Sequence, residues 1–301
     1  MDIRLIKQEN IDKVKWNSCV HYAHNGNVFG YKWFLDHVAK DWDGLVEGDY
    51  ESVFPLVWRK GLWGGKVLYQ PDLMRELGMY TINAPSQARV QAFLKAIPSE
   101  YKQLDIVLNE QNNISKVAGF QTTTLTNHQL LLAKPFETLE ATFSPAVEKA
   151  VEKAVAAQLV LDANIKPEAI AAFYKQYTST SKGVDRNFHT LQRIMYNVLH
   201  RGWGFASAVR DQAGSLLAVN FFIYSHGRVI SLLPLESPAG QKLGALIYLF
   251  YMLIRTQANR PLVLDFNTEQ SNEMATTFGA LPNPYLRIQK KLSLGKLLRG
   301  H

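Results

Sequence analysis

Residues 204–235 read GFASAVRDQAGSLLAVNFFIYSHGRVISLLPL, and this stretch decides the fold of the second half of the chain. Three mostly apolar runs, at 204–210, 216–224 and 229–235, are separated by short polar turns that each contain a glycine. Turns of this kind join neighbouring strands that run in opposite directions. The stretch therefore predicts an antiparallel meander of three strands.

The chain after the meander alternates between helix and strand. Residues 243–257 form a long apolar run that predicts a helix, and residues 262–266 have the composition of a buried strand. A short helix at 272–278 and a strand at 285–291 complete this half. Strands interleaved with helices in this order predict an α+β fold with a mixed sheet.

The first half of the chain shows the same order of elements, at a period of about 150 residues. It has a strand meander, a helix that begins at a Pro-Ser turn, a buried-type strand, a short helix and a last strand; these lie at 43–70, 85–96, 104–108, 114–118 and 120–132. We therefore predict two similar α+β domains in tandem, residues 1–135 and 136–301, with the boundary near Lys134-Pro135.

Charge is distributed unevenly along the chain. The net charge is +7, but residues 1–135 carry 15 basic and 14 acidic groups, whereas residues 136–301 carry 18 and 12. A basic half can bind phosphate-bearing partners such as nucleic acid, nucleotides or CoA. A solvated surface with a basic tail explains the same excess. The hydrophobic content of 47% excludes an intrinsically disordered protein.

Cellular context follows from what the sequence contains. The single cysteine, Cys19, excludes an intrachain disulfide and fits a reducing compartment. The first residues, MDIRLIKQEN, lack the apolar core of a signal peptide, and the longest apolar run, 243–254, is shorter than the ~20 residues that span a bilayer. His21 and His24 lack a third ligand nearby, so no metal site is predicted. We predict a cytoplasmic protein without a membrane span.

Short sequence matches accompany this order of elements. They are Trp16-Asn17, Asn25-Gly26, Tyr31-Lys32-Trp33, Phe54-Pro55-Leu56, Arg59-Lys60 and Tyr69-Gln70-Pro71 in the first half, and Leu264-Asp265-Phe266, Phe278-Gly279-Ala280 and Tyr285 in the second. A meander followed by a helix with a small-residue entry and then a strand resembles the GNAT (acyl-CoA N-acyltransferase) superfamily. Two such domains in tandem resemble its FemABX, or FemAB-like, group of bacterial aminoacyl-tRNA-dependent peptidyltransferases.

The resemblance implies an acyltransferase that moves an acyl or aminoacyl group to an amine by direct attack. It implies acyl-CoA or aminoacyl-tRNA as co-substrate, no permanently bound cofactor, and tRNA as a further partner. The acceptor it implies is a small-molecule, peptide or cell-wall-precursor amine. The chain lacks the long helical arm of some members, and Asn267 to Gln270 replace a Gly/Ser turn of the family. A catalytically inactive duplication that binds a ligand or partner is therefore the alternative.

A glycine turn precedes the long helix of the second half. Gln241 and Gly244 fit the Gln-x-x-Gly-x-Gly/Ala turn of the acetyltransferases, but Leu246 takes the last position. Backbone N–H groups at a helix N-terminus bind phosphate, and small residues allow close approach. The predicted donor-binding residues are Gly240, Gln241, Lys242, Gly244 and Ala245. Close packing of the helix start on the sheet explains the same glycines.

Transfer to an amine also needs groups that remove and supply protons. Asp265 ends a buried-type strand, where a carboxylate can act as a base or cap the next helix. Glu236 lies between the meander and the glycine turn, as a base or a solvated loop charge. Tyr285 can protonate a leaving group or pack in the core with its hydroxyl satisfied. These three residues are the catalytic candidates.

Five polar residues are candidates for substrate binding. Asn220 lies among apolar neighbours in the middle meander strand, so its amide needs partners. Arg59, Lys66, Tyr69 and Gln70 could line a cleft between the domains, where the cations would meet phosphate or carboxylate. A strand edge protected by charge explains this group equally well.

Overall fold

A computed structural model divides the chain into two compact units. Unit 1 is Met1–Leu125 with Pro284–His301, and unit 2 is Thr126–Asn283. The structure describes residues 1–61, 65–115, 119–178, 184–270 and 272–290. Within these ranges the side chains are described at all positions except 184–186.

Strands and helices follow the predicted order along the chain. The strands are β1 (Ile3–Lys7), β2 (Trp42–Glu47), β3 (Ser52–Lys60), β4 (Lys66–Tyr69), β5 (Tyr80–Thr81), β6 (Tyr101–Val107), β7 (Gln121–Leu131), β8 (Val160–Asp162), β9 (Gly204–Arg210), β10 (Leu216–Ser225), β11 (Arg228–Ser231), β12 (Leu235–Glu236), β13 (Val263–Asp265) and β14 (Leu281–Lys290). The helices are α1 (Lys13–Tyr22), α2 (Lys32–Val38), α3 (Gln87–Ala96), α4 (Phe136–Glu140), α5 (Pro145–Ala156), α6 (Pro167–Thr178), α7 (Val184–His200), α8 (Pro238–Leu243), α9 (Ala245–Gln257) and α10 (Glu273–Thr277).

Unit 1 is built on a mixed sheet. Strands β1, β2, β3 and β4 are antiparallel neighbours, β4 then pairs in parallel with β6, and β6 pairs antiparallel with β14. Helix α3 lies between β4 and β6 in the chain and returns it from the end of β4 to the start of β6, so that the two strands run parallel. The predicted helix at 114–118 lies mostly outside the described residues, since 116–118 are not covered.

Unit 2 repeats this sheet. Strands β8, β9, β10 and β11 are antiparallel neighbours, β11 pairs in parallel with β13 across helix α9, and β13 pairs antiparallel with β7. The meander predicted from residues 204–235 consists of β9, β10 and two short strands, β11 and β12, which both pair with β10. The predicted α+β class with mixed sheets is confirmed.

The closing strand of each sheet explains why the units differ from the predicted halves. The unit 1 sheet is completed by β14, the last strand among the described residues, through pairs such as Arg287 with Val107 and Ile288 with Ile106. The unit 2 sheet is completed by β7, which precedes the predicted boundary at Lys134-Pro135. Because each half of the sequence supplies the last strand to the other unit, residues 1–135 and 136–301 do not coincide with the compact units.

Local residue preferences set the ends of the helices around the unit 2 sheet. Pro145 opens α5 as predicted, and Pro238 opens α8, whose N-cap Ser237 accepts a hydrogen bond from the Gly240 N–H. The helix predicted at 243–257 begins at Ala245, and Gly244, where φ is +69°, separates it from the short helix α8. Glycine adopts this left-handed conformation without strain, so the chain forms α8, turns and begins α9.

The core of unit 2 lies between its sheet and helices α5 and α9. Leu249 and Phe250 of α9 are buried against strand residues such as Leu264. The Phe250 ring stacks on Phe266, and Phe266 on Phe278, with centroids 5.1 and 6.3 Å apart. This packing anchors the start of α9 and the end of β13, the two elements around which the candidate site is built. No helix in the described part of the chain has the length and apolar character needed to cross a bilayer.

Candidate functional site

The parallel pair β11 and β13 diverges at its carboxyl end. Pairing stops at Ile230 with Asp265. Beyond this point the chain of β11 stays with β10, because the Leu232 N–H donates to Phe221 O, whereas the chain of β13 follows β7, because the Phe266 N–H donates to His128 O. Ligands of α/β sheets bind where neighbouring strands separate at their carboxyl ends. The candidate site is therefore this point of divergence.

Asp265 lies at the divergence and is fully buried. One carboxylate oxygen accepts hydrogen bonds from Asn127 Nδ2 and the Asn267 N–H, both at 2.9 Å. The other is 2.9 Å from an Arg228 guanidinium nitrogen. Charge-assisted bonds of this kind hold a carboxylate in a fixed orientation. Asp265 thus organises the end of β13 and positions Arg228, rather than standing free as a base.

His128 is the titratable group at this site that the sequence prediction missed. Its Nδ1 lies 2.8 Å from Thr268 Oγ1, and that hydroxyl donates to Thr126 O at 3.1 Å. Since the hydroxyl proton is used, the bond assigns the ring proton to Nδ1 and leaves a lone pair on Nε2. Burial lowers the pKa of His128, which favours the neutral imidazole. In the sequence, His128 lies between Asn127 and Gln129 in a strand with many polar residues, and no pattern singles it out.

Asn220 was predicted to bind substrate, and the structure shows that its amide is used internally. Its Nδ2 donates to Ser231 Oγ at 2.8 Å, and its Oδ1 accepts from the Leu233 N–H at 3.2 Å. Asn220 thus provides an acceptor for the Leu233 N–H, just after β11 separates from β13. Asn220 and Ser231 are fully buried, and they hold β11 against β10 at the divergence.

The Glu236 carboxylate is bonded to the start of α9 and is not a free base. Its Oε2 accepts a 3.4 Å bond from the Leu246 N–H, in the first turn of α9. Burial raises the pKa of the Glu236 carboxyl. The carboxylate therefore lies at the helix end where the donor phosphate was predicted, and an anion entering there meets a negative group already in place.

The glycines of the turn serve close packing. A Cβ on Gly240 would lie 2.3 Å from Leu217 O, and one on Gly244 would lie 2.7 Å from the Ala150 Cβ. Ala245 is fully buried, while Gln241 and Lys242 are exposed. The sequence left two explanations for these glycines, phosphate binding and close packing. These distances support close packing of the helix start on the sheet and on α5. Phosphate binding by the five predicted residues stays a prediction.

Tyr285 belongs to unit 1, not to the unit that contains Asp265. It is buried, and the guanidinium of Arg75 lies 5.6 Å from its ring centroid. The same guanidinium is 3.3 Å from Glu76 and 3.0 Å from Glu110, and both carboxylates are buried. The predicted halves place Tyr285 together with Asp265, whereas in the structure β14 completes the unit 1 sheet and brings Tyr285 into that unit. Tyr285 instead packs on a buried ionic cluster.

Lys66, a second residue of the substrate-binding prediction, is engaged within unit 1. Its ammonium lies 3.0 Å from Asp43 and 2.9 Å from Glu100, and 4.1 Å from the Trp58 ring centroid. Burial lowers the pKa of Lys66, but the bonds to Glu100 and Asp43 outweigh it and the net shift is upward. The ammonium is therefore a structural cation of the β3–β4 edge.

The other three residues of that prediction are also accounted for inside unit 1. The Arg59 guanidinium lies 5.1 Å from the Tyr69 ring centroid, a cation–π arrangement on adjacent strands. Gln70 donates to Met74 O at 2.8 Å and accepts from the Val107 N–H at 3.0 Å. Gln70 thus bridges β4 and β6 at the point that corresponds to the divergence in unit 2.

Burial of His128 makes a pH dependence of stability expected. The ordinary pKa of histidine is 6.5, and the folded value is lower, so the unfolded chain binds the proton more readily. The stability contributed by neutral His128 is full above pH 6.5 and is lost as pH falls through the lowered value. His128→Gln should therefore flatten the decline in the free energy of unfolding below about pH 6.5. Urea unfolding across this range measures it, and parallel curves for the two proteins would contradict it.

Comparison with known proteins supports the fold but names no close relative. Neither a protein family nor a curated protein matches the sequence. Among solved structures, FemX superimposes with a TM-score of 0.63 at 10% identity, covering 95% of this chain and 97% of its own. L-PGS from Bacillus licheniformis gives 0.57 at 10% identity over 97% and 96%.

A third solved structure bears on the duplication. A tandem GNAT protein from the clavulanic acid biosynthesis pathway gives a TM-score of 0.53 at 12% identity, over 96% of this chain and 98% of its own. Nearly complete coverage of both chains means that the relatives share both units and their connection in sequence. The resemblance predicted from the sequence is confirmed at the level of fold: the chain has a tandem GNAT-like fold, with FemX among its structural relatives.

Proposed function

We propose that the protein is an N-acyltransferase that transfers an acyl or aminoacyl group to an amine acceptor. The observation that carries this proposal is the likeness to FemX, L-PGS and a tandem GNAT protein over nearly the whole length of each chain. The unit 2 sheet supports it with the divergence of β11 and β13 beyond Ile230 and Asp265.

In the proposed reaction, the nitrogen of a neutral amine attacks the carbonyl carbon of the donor. The new C–N bond forms as the C–O bond of an aminoacyl ester, or the C–S bond of a thioester, breaks. The amine nitrogen loses a proton, and the leaving oxygen or sulfur gains one. We assign the first of these transfers to His128, because its Nε2 carries the lone pair and Thr268 fixes the ring.

Of the two donors, aminoacyl-tRNA suits this site better. Glu236 already lies on the first turn of α9, where a CoA pyrophosphate would need unopposed N–H groups. A tRNA donor can instead place its phosphates on exposed cations outside this turn. The acceptor class carried over from the resemblance is a small-molecule, peptide or cell-wall-precursor amine.

The test measures transfer of label from two donors to a panel of amine acceptors. We expect transfer from labelled aminoacyl-tRNA to exceed transfer from acetyl-CoA, and tRNA binding to weaken steeply with salt. His128→Gln should lower kcat about a hundredfold, as loss of a general base does. The matched control is His189→Gln, on the exposed side of α7, which should retain full activity.

Two outcomes would overturn parts of the proposal. If neither donor is used and neither raises the melting temperature, the chain is an inactive duplication that binds another ligand, the alternative that the engaged Asp265 and Glu236 favour. If acetyl-CoA is the better donor, then the assignment of Glu236 as an obstacle to pyrophosphate is wrong.

A further inference from the structure

Four loops meet at the end of the unit 2 sheet that lies opposite the candidate site. They precede β9, join β10 to β11, precede β13 and follow β7, and they comprise residues 201–203, 225–228, 258–262 and 132–135. Backbone hydrogen bonds link neighbouring loops, and the pairs are Tyr224 N with Trp203 O, Val263 N with Gly227 O, and Leu132 N with Leu262 O, at 2.7, 2.9 and 2.9 Å. The loops therefore form one continuous surface, which we call the basic end of unit 2.

The loops of the basic end carry cations and no acidic residue. Their ionisable side chains are those of Lys134, Arg201, His226, Arg228 and Arg260. Arg228 is paired with the buried Asp265. Lys134, Arg201 and Arg260 are exposed, and no described carboxylate forms an ion pair with them. The exposed acid nearest to these three in sequence is Glu137, three residues after Lys134. Three cations are thus available to an anionic ligand.

Arginine and an exposed aromatic ring give the basic end the chemistry of a surface that binds nucleic acid. The Arg201 guanidinium lies 4.8 Å from the ring centroid of Trp203, and 39% of Trp203 is exposed. Arg260 donates to Gln257 Oε1 at 2.6 Å, which fixes its guanidinium at the surface. Guanidinium groups bind phosphate through paired hydrogen bonds, and aromatic rings stack on unpaired bases. Attachment to a lipid surface ordinarily uses an amphipathic helix, so a nucleic acid suits these loops better.

Strand β13 connects the basic end with the candidate site. It begins at Val263, beside the loops, and ends at Asp265, where β11 and β13 diverge. Three residues at the ordinary strand rise span about 10 Å. An unpaired RNA strand covers this distance with a few nucleotides, so an RNA held at the basic end can present its terminus to the site.

We propose that the basic end of unit 2 binds the phosphate backbone of the tRNA that carries the donor group. Lys134, Arg201 and Arg260 pair with phosphates, and the ring of Trp203 stacks on an unpaired base. The identity of the RNA rests on the proposed function, whereas the position of the surface rests on the charges and contacts of the loops.

The test measures binding of fluorescently labelled, uncharged tRNA to the full-length protein by anisotropy, over a series of salt concentrations. The triple variant Lys134→Gln, Arg201→Gln and Arg260→Gln should weaken binding at least about tenfold. It should also lower the slope of log Kd against log salt by about 2 to 3, since each phosphate contact contributes slightly less than one. The matched control removes three exposed lysines elsewhere in unit 2 and should bind as the unchanged chain does; it is Lys149→Gln, Lys153→Gln and Lys166→Gln.

A second variant tests the base contact separately from charge. Trp203→Leu should weaken tRNA binding about tenfold and leave the salt slope unchanged, because stacking releases no counterions. Circular dichroism compares the folds of the variants. Unchanged affinity in a folded Trp203→Leu protein would overturn the choice of a nucleic acid as the ligand.

The remaining outcomes separate this inference from the proposed function. The inference is wrong if the triple variant and its control bind tRNA equally. It is also wrong if the triple variant loses binding to phosphatidylglycerol vesicles but keeps binding to tRNA. If tRNA binds through these cations but no donor acylates an amine, the surface stands and the transferase proposal fails. If the triple variant uses aminoacyl-tRNA with an unchanged KM, the transferase stands and the surface is wrong.

Discussion

Arg75→Met is expected to lower the free energy of unfolding by about 4 kcal/mol, because it leaves two buried carboxylates without their cation. Only 2% of the Arg75 side chain is exposed, and the paired side chains of Glu76 and Glu110 are 1% and 4% exposed. The change also removes the cation from the face of Tyr285. Urea unfolding at neutral pH measures the loss.

Two comparisons distinguish the cost of leaving buried carboxylates uncompensated from the cost of removing an arginine side chain. Arg210→Met breaks a half-exposed pair with Asp162 and should cost less than about 1 kcal/mol. Adding Glu76→Gln and Glu110→Gln to Arg75→Met removes the uncompensated charges, so the triple variant should regain part of the lost stability. Equal losses for Arg75→Met and Arg210→Met would contradict the interpretation of this cluster.

Gly244→Ala is expected to destabilise the protein by about 3 kcal/mol, through backbone strain and steric overlap together. The residue has φ of +69°, and an added Cβ would lie 2.7 Å from the Cβ and 3.1 Å from the Cα of Ala150. Neither neighbouring atom is the end of a flexible side chain, so α5 or α9 must shift. Thermal or urea unfolding measures the effect.

Gly202→Ala is the matched control for this change. Gly202 has nearly the same φ, +65°, but an added Cβ would meet no atom within 4 Å. It should cost about 1 kcal/mol, the strain alone, so the difference between the two variants reports the packing of α9 on α5. If the two variants are equally destabilised, Gly244 serves only the turn. Because Gly244 packs on Ala150, no substitution there isolates a phosphate site from the stability of the fold.

Much of the fold was predictable because it depends on local patterns. Apolar runs, turn glycines and the Ser144-Pro145 helix start locate the strands and helices to within a few residues. Their order also predicts the mixed sheets and the duplication, which the solved structures confirm at the level of fold. The glycine turn before the long helix was predicted, but the short helix α8 within it was not, since six residues carry no helical period.

The candidate site was less predictable, because its chemistry depends on partners distant in sequence. The sequence places Asp265 at the polar end of a buried strand, but the partners of its carboxylate are Asn127 and Arg228, which lie far away in the sequence. His128 depends in the same way on Thr268, about 140 residues further along the chain. Pattern and spacing in one sequence do not report such pairs.

By itself, the sequence determined the order of the elements, the class of the fold and its resemblance to tandem acyltransferases, because these follow from residue preferences acting over short distances. Only the tertiary structure decided the exchange of closing strands between the two units, which moves Tyr285 into unit 1. It also decided the use of Glu236 at the start of α9. Strand partners and ionic contacts are chosen by the packing of the whole sheet, which residue preferences over short distances do not determine.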